Sequence, residues 1–198
     1  SRYCSQRRLC GRGWLRGRRL SGERRCVRLR RIRRQRQRLV RSAAAEIGNQ
    51  FAVPAFGHAV DVTSEESVAA AQSAVAAEVN SGALPPVGAL ANIAGITSPV
   101  PFLETTLGLW NKVMAVNATG TYLVTKAFLP DMIDNGWGRI VNVSSAAALY
   151  PPAPLNSAYA TAKAALNRMT RHLAVELAGT GVTANVIHPG SLQTDMWA

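Results

Sequence analysis

Cysteine is scarce in this sequence and confined to one end. The three cysteines are Cys4, Cys10 and Cys26, and residues 42–198 contain none. No second pair gives them metal-ligand spacing, so no zinc site and no disulfide framework can be read; a reducing, cytoplasmic compartment is expected. His58, His172 and His188 form no spaced ligand set, and no metal is expected. Long apolar runs are also missing. Even the uncharged stretch 144–162 carries three prolines, so no bilayer span and no membrane partner is expected.

Acidic residues are what residues 1–41 lack. That block holds 17 Arg and a single acid, Glu23, whereas 42–198 holds 6 basic and 10 acidic residues. The net charge of +12 therefore describes one block of a chain with two compositions. Three readings of 1–41 compete. A genuine basic arm would attract nucleic acid through counterion release, although it has few aromatics to stack on bases. A transit peptide would be Arg-rich and acid-poor, but Val27, Leu29, Ile32, Leu39 and Val40 make no sustained apolar stripe. Translation in the wrong frame has a coding rationale: CGN arginine codons shifted by one base become GNN, which encodes Gly, Ala, Val, Asp and Glu. Those are the residues of a Gly-rich dinucleotide loop and its neighbouring strand. Unless the arm is genuine, residues 1–41 are expected to be disordered or mistranslated, and 42–198 to form a partial α/β domain.

From Ala43 onward the pattern is regular. Residues 56–62 read as a strand. Thr63 with Glu66 three positions on reads as a capping box, opening a helix that carries Val68, Ala71, Val75 and Val79 on one face. Gly82, Pro85 and Pro86 break it. The apolar runs 87–93 and 140–143 read as strands buried on both faces. A long helix is expected over 105–134, another over 157–177 ending at Gly179 and Gly181, and a strand over 182–187. This alternation predicts a parallel sheet with helices on both faces, whose ligands bind beyond the carboxyl ends of the strands. Asp61, Asn92 and Ser145 fall at such ends.

Tyr159 and Lys163 are four apart on one predicted helix, so they share a face. A free phenol titrates near pH 10, about three units above neutrality, and a nearby ammonium favours its ionised form. The pair makes a general acid/base; its bland alternative is a surface Tyr beside a solvated Lys. Ser145 stands fourteen residues earlier, just past the strand end. Its hydroxyl can hold the oxygen that gains or loses a proton, or it can simply terminate the strand.

The ordered series Asp61-Val62, Asn92-Ile-Ala-Gly95, Asn117, Ser145, Tyr159-x-x-x-Lys163 and Pro189-Gly190 resembles the short-chain dehydrogenase/reductase pattern over about residues 56–198, and is similar to its ketoacyl-carrier-protein reductases. The resemblance implies a Rossmann-like, doubly wound parallel sheet, incomplete here at both ends. It implies an NAD(P)-dependent oxidoreductase that interconverts a secondary alcohol and a ketone, using NAD or NADP, and forming a homo-oligomer when complete. On that pattern Tyr159 is the acid/base, Lys163 holds the nicotinamide ribose and lowers the phenol's pKa, Ser145 orients the substrate oxygen, and Asn117 holds a relay water. Asp61 and Val62 touch adenine. Asn92, Ala94 and Gly95 form the turn that supports the sheet and approaches the adenine ribose, and Pro189, Gly190 and Thr194 flank the nicotinamide. An inactive remnant of the fold is the alternative, alongside the nucleic-acid-binding arm.

The sequence departs from the pattern in four places. The TGxxxGxG loop is absent: Gly13-Trp-Leu-Arg-Gly17 lies near the expected place, with Arg19 where the last glycine belongs. Ile93 replaces a common Asn, and the Ser-to-Tyr gap is one residue longer than the pattern's, with Pro151, Pro152 and Pro154 in that loop. The sequence stops at Ala198, before the expected substrate lid, helix and last strand. Neither the substrate nor the choice between NAD and NADP is fixed by what is present.

Overall fold

Three parallel strands, β1 (Ala89–Asn92), β2 (Gly138–Val143) and β3 (Val182–Ile187), form a sheet in that order. The computed structural model describes residues 20–97, 99–151 and 154–190, without the side chains of 20–34. The helices are α1 (Leu20–Phe51), α2 (Glu65–Asn80), α3 (Leu107–Met114), α4 (Gly120–Asp134) and α5 (Ser157–Glu176). Single 3-10 turns lie at Phe102–Glu104 and Ala146–Ala148.

The expected helix over 105–134 is present, but it is not uniform. Thr106 caps it, its hydroxyl accepting from the Leu109 N–H at 3.2 Å. Between α3 and α4 a π-turn, Ala115–Thr119, takes one residue more than an α-turn would. The expected cap of α2 is corrected by one residue. The Thr63 N–H and hydroxyl both donate to Asp61 Oδ1, at 3.0 and 2.7 Å. Thr63 is thus bound into the preceding turn, and the hydroxyl of Ser64 accepts from the Ser67 N–H at 3.2 Å instead.

The expected strand over 56–62 does not form. A strand needs a neighbour's peptide groups, and among the described residues β1 pairs with β2 alone. What lies against this extended segment is α1. The Gln37 side chain donates to the Gly57 carbonyl at 2.9 Å and accepts from the Ala59 N–H at 2.8 Å. One side-chain amide supplies a donor and an acceptor, as a neighbouring peptide group would. Gly57 also packs so close to the Val40 carbonyl that a Cβ there would overlap it. α1 therefore crosses residues 41 and 42 without a break. Arginine is a good helix former, so the helix needs no apolar stripe to be locally favoured.

Register explains where the core sits. Leu90, Ile140 and Ala184 stand side by side across the sheet. They pack with Leu129 and Met132 of α4, Leu173 of α5, and Leu177. The neighbours of opposite parity, Ala89, Ala91, Arg139, Thr183 and Asn185, are exposed. Runs 87–93 and 140–143 were expected to be buried on both faces. Among the described residues they bury alternate positions only, because α4 and α5 cover one face. A second cluster, Val113, Ala158 and Ala162 with Trp110, Met114 and Tyr159 against it, fixes the start of α5 to α3.

Candidate active site

The site begins with a difference in strand length. The last pair between β1 and β2 is Asn92 with Asn142, whereas β2 and β3 stay paired through Val143 and Ile187. Along β2, odd residues turn their peptide groups toward β1, as the Arg139 N–H does in donating to the Gly88 carbonyl at 2.9 Å. Even residues face β3: the Ser144 N–H donates to the Ile187 carbonyl at 2.9 Å. Val143 therefore presents its carbonyl to a neighbour that has already departed. The Lys163 ammonium fills that gap, donating to the Val143 carbonyl at 2.7 Å.

Lys163 is only 3% exposed. Burial, which penalises the charged amine, pushes its pKa down to about 8. Its Nζ lies 5.7 Å from the centre of the half-buried Tyr159 ring, one helical turn earlier on α5. The expected Tyr–Lys pair thus shares a face at the carboxyl ends of the strands. Ser145 caps the short turn 146–148, its oxygen accepting from the Ala147 N–H at 3.2 Å. That bond uses a lone pair and leaves the hydroxyl proton free to be donated.

Asn117 is fully buried at the centre of the π-turn. Its amide nitrogen donates to the Val113 and Ile96 carbonyls, both at 2.9 Å, and its oxygen accepts from the Ile96 N–H at 3.2 Å. Both side-chain donors are therefore spent, so a relay water could be held only by the remaining acceptor capacity or by the main chain. The back-bond to Val113 is the bland expectation for a helical Asn; the clamp on Ile96 is an addition to it. Gly95 brings these groups together. A Cβ there would come within 2.8 Å of Asn117 Oδ1 and 3.5 Å of Lys163 Nζ.

The Asn92 side chain is engaged within the sheet. Its amide nitrogen donates to Thr125 Oγ1 at 3.0 Å and Asn142 Oδ1 at 2.8 Å, and the Asn142 nitrogen donates to Thr170 Oγ1 at 2.9 Å. A buried polar chain thus runs from α4 through two strands to α5. Asn92 braces the floor of the site with its side chain and does not reach out of it. Sequence reasoning missed Asn142. The signal was available: a polar residue on the buried parity of an otherwise apolar strand.

The remaining residues divide. The Asp61 carboxylate is held below the usual carboxylate range by the hydroxyl and N–H of Thr63. Val62 packs on Gly120, where a Cβ would come within 2.8 Å of its methyl carbon. Ala94 is exposed on the turn. The Pro189 carbonyl accepts from the Ala146 N–H at 3.0 Å, tying the loop after β3 to the Ser145 turn, and among the described residues nothing lies against Gly190. Thr194 lies outside the described residues. Among the described residues no group of His, Cys, Asp and Glu could hold a metal ion, and no helix is long and apolar enough to cross a membrane.

Comparison with known proteins gives consistent matches. A family model described as short chain dehydrogenase matches residues 27–198. The chain is 39% identical over 158 residues to a 3-oxoacyl-[acyl-carrier-protein] reductase of Aquifex aeolicus, covering 80% of this chain and 61% of that protein. It is 41% identical over 155 residues to an inactive 2-(S)-hydroxypropyl-CoM dehydrogenase 2 of Xanthobacter autotrophicus, covering 78% and 63%. Among solved structures, the sorbitol-6-phosphate 2-dehydrogenase of Erwinia amylovora superimposes with a TM-score of 0.73 at 27% identity, covering 81% and 62%. The chain thus spans about three-fifths of these proteins' own length.

Proposed function

This chain belongs to the short-chain dehydrogenase family, and from that premise we propose that it carries the catalytic centre of an NAD(P)-dependent oxidoreductase interconverting a secondary alcohol and a ketone. The observation that carries the reading is the Lys163 ammonium lodged between the ends of β1 and β2, 5.7 Å from the Tyr159 ring. Parallel sheets of this kind bind ligands in such a crevice.

The residues present fit a nicotinamide cofactor at this end of the sheet. Gly95 keeps the approach open where any side chain would meet Asn117, and the buried ammonium is a donor suited to a ribose hydroxyl. When bound, the cofactor supplies or accepts the hydride. The chain supplies the rest. Ser145 donates its free proton to the substrate oxygen and fixes it in place. Tyr159 gives its hydroxyl proton to that oxygen in reduction, and in oxidation its phenolate oxygen takes one from the alcohol. Lys163 sets a positive charge beside the Tyr159 ring while it is protonated, a condition that weakens as pH rises through about 8. Asn117 holds the 95–96 turn against the helix, keeping Gly95 beside Lys163. The partners on this reading are a small alcohol or ketone and further copies of the chain.

The test is Tyr159→Phe. Turnover of a secondary alcohol, followed by nicotinamide absorbance, should fall by about 10²–10⁴-fold, the usual worth of a positioned acid/base. Cofactor binding, followed by nicotinamide fluorescence, should persist. Near-normal turnover would remove Tyr159 from the mechanism.

A further inference from the structure

The lysine of the site is held at two points by consecutive residues of one strand end. Its ammonium donates to the Val143 carbonyl at 2.7 Å. Its own carbonyl, back on α5, accepts from the Ser144 hydroxyl at 3.0 Å. Ser144 is 3% exposed, and its N–H is bound to the Ile187 carbonyl at 2.9 Å. It therefore has no rotational freedom of its own: the β3 bond fixes its backbone, and the α5 bond fixes its side chain. The even parity that turns Ser144 away from β1 also turns Val143 toward it, so one peptide step splits the two grips.

We propose that Ser144 is a positioning residue for Lys163, locking α5 to the end of β2 at the height where the ammonium meets the Val143 carbonyl. It touches neither substrate nor cofactor and acts through the lysine. The inference rests on Lys163 being the lysine of the proposed redox site. A buried amine with a single hydrogen-bonding carbonyl needs its backbone held, because a small slide of the helix frees the flexible side chain to reach water. Burial is what depresses its pKa, and among the described residues no charged neighbour contributes. The groups facing the ammonium are the Tyr159 ring on its own helix, the Val143 carbonyl, and Asn117 and Gly95 from the other side.

The sequence makes this measurable, because it has only three lysines: Lys112, Lys126 and Lys163. In the 198-residue chain labelled with carbon-13 at the lysine ε position, three signals titrate, and Lys163→Arg assigns the one of interest. In Ser144→Ala the Lys163 titration should move upward, toward the ordinary lysine value, by about half a unit or more. Lys112 and Lys126 should not move, and Ser144→Thr, which keeps the hydroxyl, should restore the original midpoint. If Ser144→Ala does not fold, Ser144→Cys takes its place with the same expected upward shift. A folded Ser144→Ala or Ser144→Cys whose Lys163 titrates as in the parent chain overturns the proposal. So does a Ser144→Thr that behaves like Ser144→Ala. Because the readout is the lysine's own titration, failure here leaves the Tyr159→Phe result untouched, and the reverse also holds.

Discussion

Asn92 and Asn142 face each other in register across β1 and β2, both buried, and share a hydrogen bond of 2.8 Å. They couple the two helices that flank the site, through Thr125 on α4 and Thr170 on α5. Asn142→Leu removes the acceptor of one Asn92 proton and the donor to Thr170. An orphaned buried polar group costs about 1–3 kcal/mol, and each kcal/mol lowers the melting temperature of a domain this size by about 2–4 °C. A drop of several degrees in a thermal melt is expected. Asn92→Leu combined with Asn142→Leu should cost less than the sum of the single changes, since the orphan disappears with its partner. Additive losses would show that the pair is not coupled.

Gly95 matters for what surrounds it. Its backbone is not in the left-handed region, so alanine costs nothing locally. The obstacle is Asn117 Oδ1, 2.8 Å from the added carbon and part of an amide held by three hydrogen bonds. Gly95→Ala is expected to weaken binding of the reduced nicotinamide cofactor, NADH or NADPH, by about tenfold or more, roughly 1.4 kcal/mol, in a fluorescence titration, and to lower the melting temperature. Gly108→Ala, which meets only the Thr106 hydroxyl at 4.0 Å among the described residues, should not lower the melting temperature.

Lys163 also imposes a pH dependence on stability. Its pKa is about 8 in the folded chain against 10.5 for an ordinary lysine. Between those values the unfolded state binds more protons than the folded one, so stability rises with pH there. Below about 8 both states are protonated and the cost of burying the charge is fully present. Thermal midpoints of the parent chain should therefore climb from pH 8 toward pH 10 relative to those of Lys163→Met. Parallel profiles for the two proteins would place the amine in solvent.

The cap of α2 gives a test that separates two neighbouring hydroxyls. Ser64→Ala removes the acceptor for the Ser67 N–H and should destabilise the protein by about 0.5–2 kcal/mol in chemical denaturation. Thr63→Ala keeps the main-chain bond to Asp61, loses only the hydroxyl's bond to that exposed carboxylate, and should cost less. The reverse order would restore the capping box that the sequence suggested.

The sequence made the alternation of elements and the Tyr159–Lys163 pair legible because both depend on local spacing. The strand 182–187 and the start of the last helix at Ser157 are where periodicity placed them. What it did not reveal depends on partners. Residues 56–62 have strand composition, but a strand also needs a ladder, and Gln37 is what lies beside them. Burial of alternate positions in β1 and β2 follows from which helices reach the sheet, and apolar composition does not report that. Asn92 was placed correctly at a strand end. Its side chain was spoken for by Asn142, a relation that spans fifty residues and has no local signature.

The π-turn at Ala115–Thr119 works like a shim in a screw thread. Each α-helical residue turns the helix by about 100°, so the extra residue sets the phase of everything downstream. Removing it would leave α3 seated while swinging Thr125 off the line to Asn92 and carrying Gly120 away from Val62. A one-residue deletion there would scramble contacts two turns away, although every side chain that makes them would still be in the chain.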